Sequence, residues 1–160
     1  VPTPARERVD LAAVARQTVA MFAGAAEDRS VGLTCEAADR VPVAGETAQL
    51  RQVFGNLLDN AIRFTPQGGK VTVTIVTDAD RRQAVATVSD TGCGISREHI
   101  GRVFDRFYKA DASRTRSKEA RGGGLGLAIC RSIVNRHGGS IDATSLPGRG
   151  TSFTVRLPLV

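Results

Sequence analysis

The chain has no tryptophan, one tyrosine and six phenylalanines, and three of those aromatics (Phe104, Phe107 and Tyr108) fall in one five-residue stretch. A stacking platform for single-stranded nucleic acid needs aromatics spread along a groove, so this composition argues against one. The three cysteines, Cys35, Cys93 and Cys130, are odd in number and widely spaced, with no CxxC pair. Neither a disulfide framework nor a zinc site is indicated, and a reducing, cytoplasmic setting is the expectation. No apolar run approaches the roughly 18 residues of a membrane span, and the N-terminus lacks the charged, apolar, small order of a signal peptide. A membrane is therefore expected only through a larger parent protein. There is no GK[ST] triplet for a Walker A loop, no internal repeat and no low-complexity linker.

What the sequence does contain is enough apolar material, 41% of 160 residues, to bury the core of one ordinary domain. It carries 22 Lys and Arg against 16 Asp and Glu, a net charge of +6 that favours an anionic partner without naming it. Asp10 to Glu27 has helical spacing with Asp10 as N-cap. Leu33 to Ala37 and Val41 to Ala44 are short strands on either side of a charged turn. Thr47 to Phe64 is the strongest helix, with Leu50, Val53, Phe54, Leu57, Leu58 and Ala61 on one face and Thr65-Pro66 as its stop. Lys70 to Thr77 and Gln83 to Ser89 alternate as an antiparallel hairpin. A short helix over Arg97 to Asp105 and a long polar loop from Lys109 to Gly124 follow. A helix from Leu125 to Arg136, a His137-Gly138-Gly139 turn, and strands Ser140 to Ser145 and Thr151 to Leu157 close the chain. This order predicts helices layered on one face of a largely antiparallel sheet.

Along the helix from Thr47 to Phe64, a step of about 100° per residue gathers Gln49, Gln52, Asn56, Asn60 and Arg63 into an arc of about 80°. Asparagine is a weak helix former, so two of them one turn apart point to a use for their side-chain oxygens. Carboxamide oxygens are hard donors suited to Mg²⁺, and an arginine one turn on suits a phosphate. Taken alone, the stripe fits a solvated polar face equally well.

Two glycine clusters accompany it. Asp90-Thr91-Gly92-Cys93-Gly94-Ile95 follows a strand, where a fixed carboxylate can accept a hydrogen bond from an exocyclic amine and the glycines let backbone approach a flat ring. A tight turn would use the same residues. Gly122-Gly123-Gly124-Leu125-Gly126-Leu127 opens a helix, and free N–H groups with the positive dipole end there form an anion site. Without a leading strand it is not a dinucleotide fingerprint. The preceding loop, Lys109 to Arg121, holds five basic and two acidic residues, half of the net positive charge of the whole chain.

These motifs, in this order, resemble the ATP-binding catalytic domain of bacterial sensor histidine kinases, within the gyrase, chaperone, histidine kinase and mismatch-repair superfamily. The likeness covers nearly the whole chain: an N box in RQVFGNLLDNAIRFTP, a first glycine box in DTGCGI, an F box in VFDRFYKAD, a second glycine box in GGGLGLAI, the HGG turn and the closing GTSFTVRLPL. It implies an α/β sandwich, a mixed, largely antiparallel sheet of about five strands under three helices with a flexible ATP lid. Residues 1–8 would be residual linker and residues 9–160 a single catalytic domain. The resemblance further implies that Asn60 and Asn56 hold Mg²⁺ on the ATP phosphates, with Arg63 beside a phosphate. Asp90 would bond the adenine amine, with Gly92, Gly94 and Ile95 near the base and the Thr151 hydroxyl supporting the pocket. Tyr108 and Lys109 would face the nucleotide at the start of the lid, and Gly122, Gly124, Leu125, Gly126 and Leu127 would line the triphosphate. Asn56, Asn60, Arg63 and Lys109 would be the residues closest to the chemistry, while Phe104 and Phe107 anchor the lid.

Hydrolytic members of the superfamily carry a Glu general base where this chain has Asn56. An amide cannot take a proton, so phosphoryl transfer to a positioned nucleophile fits better than hydrolysis. The family's acceptor histidine lies on a separate dimerisation helix. Here His99 is expected at the surface and His137 at a helix end, neither as phosphoacceptor. The expected partners are the parent's own dimerisation domain and, through the full kinase, a response regulator, but no nucleic acid; the isolated domain is expected to be a monomer. The alternative is a degenerate nucleotide-binding or protein-interaction module without catalysis.

Overall fold

The computed structural model describes residues 6–105, 123–146 and 148–160. Its elements run β1 (Glu7–Asp10), α1 (Leu11–Asp28), β2 (Gly32–Ala37), β3 (Pro42–Gly45), α2 (Thr47–Phe64), β4 (Lys70–Asp78), β5 (Gln83–Asp90), α3 (Arg97–Ile100), α4 (Gly123–Arg136), β6 (Ser140–Leu146) and β7 (Gly150–Pro158). Five strands form one sheet in the order β2-β4-β5-β7-β6, and β1 pairs with β3 in a separate ribbon. Only the β2–β4 pairing of the main sheet is parallel; β4–β5, β5–β7 and β6–β7 are antiparallel.

Strand alternation decides which face is covered. Val71, Val73 and Ile75 of β4, Ala84, Ala86 and Val88 of β5, and Phe153, Val155 and Leu157 of β7 are all buried on one face. The intervening Thr72, Thr74, Thr87, Ser89, Ser152 and Thr154 are partly exposed on the other. The three long helices lie on the apolar face, with α1 over β2 and β4, α2 between α1 and α4, and α4 over β6. Leu50, Val53, Phe54, Leu57, Leu58, Ala61 and Ile62 of α2 are buried, which makes this central helix the spine of the core. The fold is the mixed five-stranded α/β sandwich that the sequence predicts.

Asp10 caps α1 by accepting the Ala12 N–H at 3.1 Å and also accepts the Val41 N–H at 2.9 Å, so one carboxylate starts the helix and pins it to the β3 segment. The end of α2 is fixed by Thr65, whose hydroxyl donates to Ala61 O at 2.6 Å and whose backbone is extended before Pro66.

The structure departs from the sequence reading in two places. Glu7 and Arg8, read as linker, pair with Gly45 and Ala44 in β1, because their hydrogen-bond partner lies more than thirty residues on, beyond the reach of a local pattern. The two short strands expected near residues 33–37 and 41–44 are present as β2 and β3 and enter different sheets. The helix expected over Arg97 to Asp105 is regular only to Ile100 and continues as turns through Phe104. Most of the loop read as a lid lies outside the described residues.

Candidate functional site

The strand-built half of the site begins at the end of β5. Asp90 stands opposite Val71 of β4 and Thr151 of β7 in the sheet register. Its Oδ1 accepts the Gly92 N–H at 2.8 Å and the Thr151 N–H at 3.3 Å, so backbone donors on both sides fix the carboxylate. A carboxylate offers about four acceptor positions, and this anchoring is compatible with a further donor such as an exocyclic amine. Gly92 is a steric necessity: a Cβ there would lie 2.5 Å from Phe64 O and 2.9 Å from Asp90 Oδ1. Gly94 adopts φ 75°, a left-handed conformation that a side chain would strain.

Ser145 of β6, which the sequence reading passed over, ties these pieces together. Its hydroxyl accepts the Ile95 N–H, donates to Gly150 O at 3.0 Å and lies 3.0 Å from the Thr151 hydroxyl. The Gly148 N–H donates to Cys93 O at 2.7 Å, so the first glycine box is bound both to β6 and to the turn between β6 and β7. Thr151 is 7% exposed, and its hydroxyl is engaged inside this cluster. The only local signal for Ser145 was a small hydroxyl residue opposite Thr151 in the closing hairpin.

The helix-built half is the amide stripe. Gln49, Asn56, Asn60 and Arg63 are half-buried and Gln52 is exposed. Asn56 Nδ2 donates to Gly126 O at 3.2 Å, joining the N box to the second glycine box. Among the described residues, a Cβ on Gly126 would come into ordinary contact with Asn56 at 3.9 Å. Arg63 Nη2 donates to Asp59 Oδ2 at 2.7 Å, one turn back on α2, and the Arg63 carbonyl accepts Arg29 Nη2 at 3.1 Å.

Behind Asn56 lies Cys130, fully buried, with its thiol donating to Val53 O at 3.7 Å. Burial pushes this thiol up to about 12, while the Asn56 carboxamide beside it pulls the other way. Leu127 is buried. Gly124 and Leu125 lie in the first turn of α4. Phe104 packs edge-on against Phe153 with centroids 5.9 Å apart and carries the Arg131 guanidinium over its ring. Phe107, Tyr108, Lys109 and Gly122 lie outside the described residues.

His137 follows the last residue of α4, the helix-end position that the sequence suggested, and is buried there. It is 5% exposed, its Nδ1 donates to Ile133 O at 2.8 Å and its Nε2 accepts the Glu46 N–H at 3.2 Å. Because a backbone N–H can only donate, the ring is the neutral Nδ1–H tautomer. It joins the end of α4 to the start of α2, with Gly45 against its edge. His99 is half-buried in α3.

The sheet, the carboxylate at the end of β5 and the carboxamide bridge to the glycine helix define a known class of domain. The model of the histidine kinase-, DNA gyrase B- and HSP90-like ATPases matches residues 45–160, and the chain belongs to that family. Within it, the sequence is 42% identical over 133 residues to sensor protein SrrB of Staphylococcus aureus, a match that covers 83% of this chain and 22% of that relative. Among solved structures, a mycobacterial sensor histidine kinase, MprB, superposes with a TM-score of 0.83 at 27% identity, covering 96% of this chain and 98% of that one. Full-length ShkA in complex with AMPPNP superposes with a TM-score of 0.84 at 24% identity, covering 100% of this chain and 32% of that one, and shows the shared fold. The chain is thus an ATPase-family domain homologous to sensor histidine kinases. Among the described residues no helix is long and apolar enough to cross a membrane.

Proposed function

We propose that this domain binds ATP with Mg²⁺ and supplies the γ-phosphoryl group to a histidine on a dimerisation domain outside this sequence, as the first step of signalling to a response regulator. The observation that carries this reading is the Asp90 carboxylate, held at Oδ1 by two backbone N–H groups beside a glycine that admits no side chain. A carboxylate so fixed discriminates a base by the amine it donates, and adenine has one where guanine at the same edge has a carbonyl. The Thr151 hydroxyl and the backbone from Gly92 to Ile95 form the surroundings of that contact.

The donor set fits the cation. Asn60 and Asn56 offer neutral, hard oxygens, which together with phosphate oxygens and water suit Mg²⁺. Bound there, Mg²⁺ supplies charge neutralisation on the transferring phosphoryl group. Arg63 adds positive charge on the same helix face. Asn56 cannot act as a general base, and its amide nitrogen is engaged with Gly126 O, so no side chain at this position prepares water for attack. Alignment of a nucleophile from another domain, with charge neutralisation, is what the remaining groups provide. Lys109, Tyr108 and Gly122 are assigned to the nucleotide by family resemblance. The complex of the structurally similar ShkA with AMPPNP supports the nucleotide reading.

Calorimetric titration of ATP, with and without Mg²⁺, beside GTP and the Asp90→Asn protein tests this. The expected result is Mg²⁺-enhanced, adenine-selective binding that Asp90→Asn weakens roughly tenfold to hundredfold, the worth of a hydrogen bond to a charged group, without loss of fold. Equal binding of GTP, or unchanged ATP binding by Asp90→Asn, refutes it. Addition of a histidine-bearing dimerisation domain should then yield phosphohistidine.

A further inference from the structure

We infer that Cys130, together with the Gly126 carbonyl, sets the orientation of the Asn56 carboxamide, making this buried cysteine a positioning residue for the cation side of the site. The inference rests on the reading of Asn56 and Asn60 as cation ligands. Four residues close the arrangement: Val53 and Asn56, three apart on α2, face Gly126 and Cys130, four apart on α4. These are the two spacings that place side chains on one helix face. Asn56 Nδ2 donates to Gly126 O at 3.2 Å, and Cys130 Sγ, one turn further along α4, donates to Val53 O at 3.7 Å, one turn before Asn56 on α2, which sets the thiol at the level of the same carboxamide.

The consequence follows from the chemistry of the amide. A carboxamide presents a donor nitrogen on one side and an acceptor oxygen on the other, and a rotation of about 180° about its last torsion exchanges them. A cation ligand must present oxygen. Gly126 O accepts only from the nitrogen, and a protonated thiol whose hydrogen is given to Val53 O offers its sulfur lone pairs to an N–H. Both partners on α4 therefore select the rotamer with nitrogen toward α4 and oxygen away from it. An aliphatic side chain at position 130 would fill the core as well but would remove one of the two selectors.

Cys130→Ala, which loses the sulfur, and Cys130→Ser, which keeps a donor and acceptor at the same position, separate this role from packing. Thermal unfolding establishes that each variant is folded. ATP affinity is then measured in the presence of Mg²⁺ and in the presence of a chelator. Cys130→Ala should lose about fivefold of the Mg²⁺-dependent gain in affinity, the worth of one ordinary hydrogen bond, with the chelator value unchanged, and Cys130→Ser should restore most of that gain. An equal loss with and without Mg²⁺, or no recovery in the serine variant, overturns the inference. A second readout needs no nucleotide. The side-chain amide resonances of Asn56 in the ¹⁵N-labelled protein should shift in Cys130→Ala and stay near their original positions in Cys130→Ser. Unshifted resonances in Cys130→Ala overturn the inference even where ATP binding itself fails, whereas failure of the unaltered protein to bind ATP counts against the functional reading.

Discussion

The two halves of the candidate site are built by different means. At the end of β5 the Asp90 carboxylate is held by backbone: the Gly92 and Thr151 N–H groups reach it, the second because strand register puts Thr151 opposite. Across the site, on α2, the Asn56 carboxamide is held by a neighbouring helix through the Gly126 carbonyl, and the Cys130 thiol of that helix bonds Val53 O one turn before it. Register is shared by every residue of a sheet and changes only when strands slip, so the carboxylate half is as rigid as the core. The carboxamide half depends on how α4 is seated against α2, and can be adjusted without disturbing the sheet.

The most damaging way to test the rigidity of the strand half is Gly150→Ala. Gly150 has φ 115°, and a Cβ there would overlap the Asp90 carbonyl oxygen, backbone against backbone with nothing able to move aside. The expected outcome is destabilisation of at least about 3 kcal/mol in denaturant unfolding, combining strain with loss of the hairpin start. A variant that unfolds like the parent protein would show that the strand half yields, and the contrast between the halves would disappear.

A change at the far end of α4 bears on the helix half. His137→Ala removes a buried ring, an N–H bond to Ile133 O and the acceptor for the Glu46 N–H. The expected loss is about 2 to 3 kcal/mol, measured as a lower Tm, because a buried donor is left without its partner. If the helix half depends on the seating of α4, the Mg²⁺-dependent part of ATP affinity should fall in this variant while the preference for adenine over guanine persists. Loss of that preference with Mg²⁺ dependence intact would reverse the assignment of the two halves.

The sequence made the sheet and the central helix legible because their signals are local and repeated. Alternation in β4 and β5 gave the hairpin, and the periodicity of α2 named the residues that the structure buries. The amide stripe and the glycine boxes were legible as unfavourable local choices, asparagine inside a helix and glycine in clusters. What was not legible is what depends on distant partners. The pairing of β1 with β3 has no local pattern in four residues. The reason for glycine at position 150 is a carbonyl sixty residues earlier, and the burial of His137 depends on the start of α2. Ser145 joins Ile95, Gly150 and Thr151 through one hydroxyl that in sequence is an ordinary strand serine. Local spacing singles out the candidate residues, whereas tertiary contacts determine how each is held.

The smallest expected effect separates the halves by pH. The Cys130 thiol is raised by burial from 9.0 to about 12 in the folded protein, and exposure on unfolding returns it to the ordinary range. A group whose folded value lies above its unfolded one contributes stability that is present below the unfolded value and lost as the pH climbs toward the folded one. Between pH 9.0 and about 12, therefore, the unfolded chain releases a proton that the folded chain retains, and stability falls. The slope assigned to this thiol is roughly 1 kcal/mol per pH unit. Cys35 is shifted in the same direction, chiefly by burial, but it is common to the parent protein and to Cys130→Ser, so their difference isolates Cys130. Urea unfolding of both proteins from pH 8 to 10.5 should show the parent losing stability faster above pH 9, and parallel curves would mean that water reaches the thiol between α2 and α4. That outcome would also remove the dry contact on which the orientation of Asn56 depends, so the titration bears on the helix half while leaving the Asp90 half untouched.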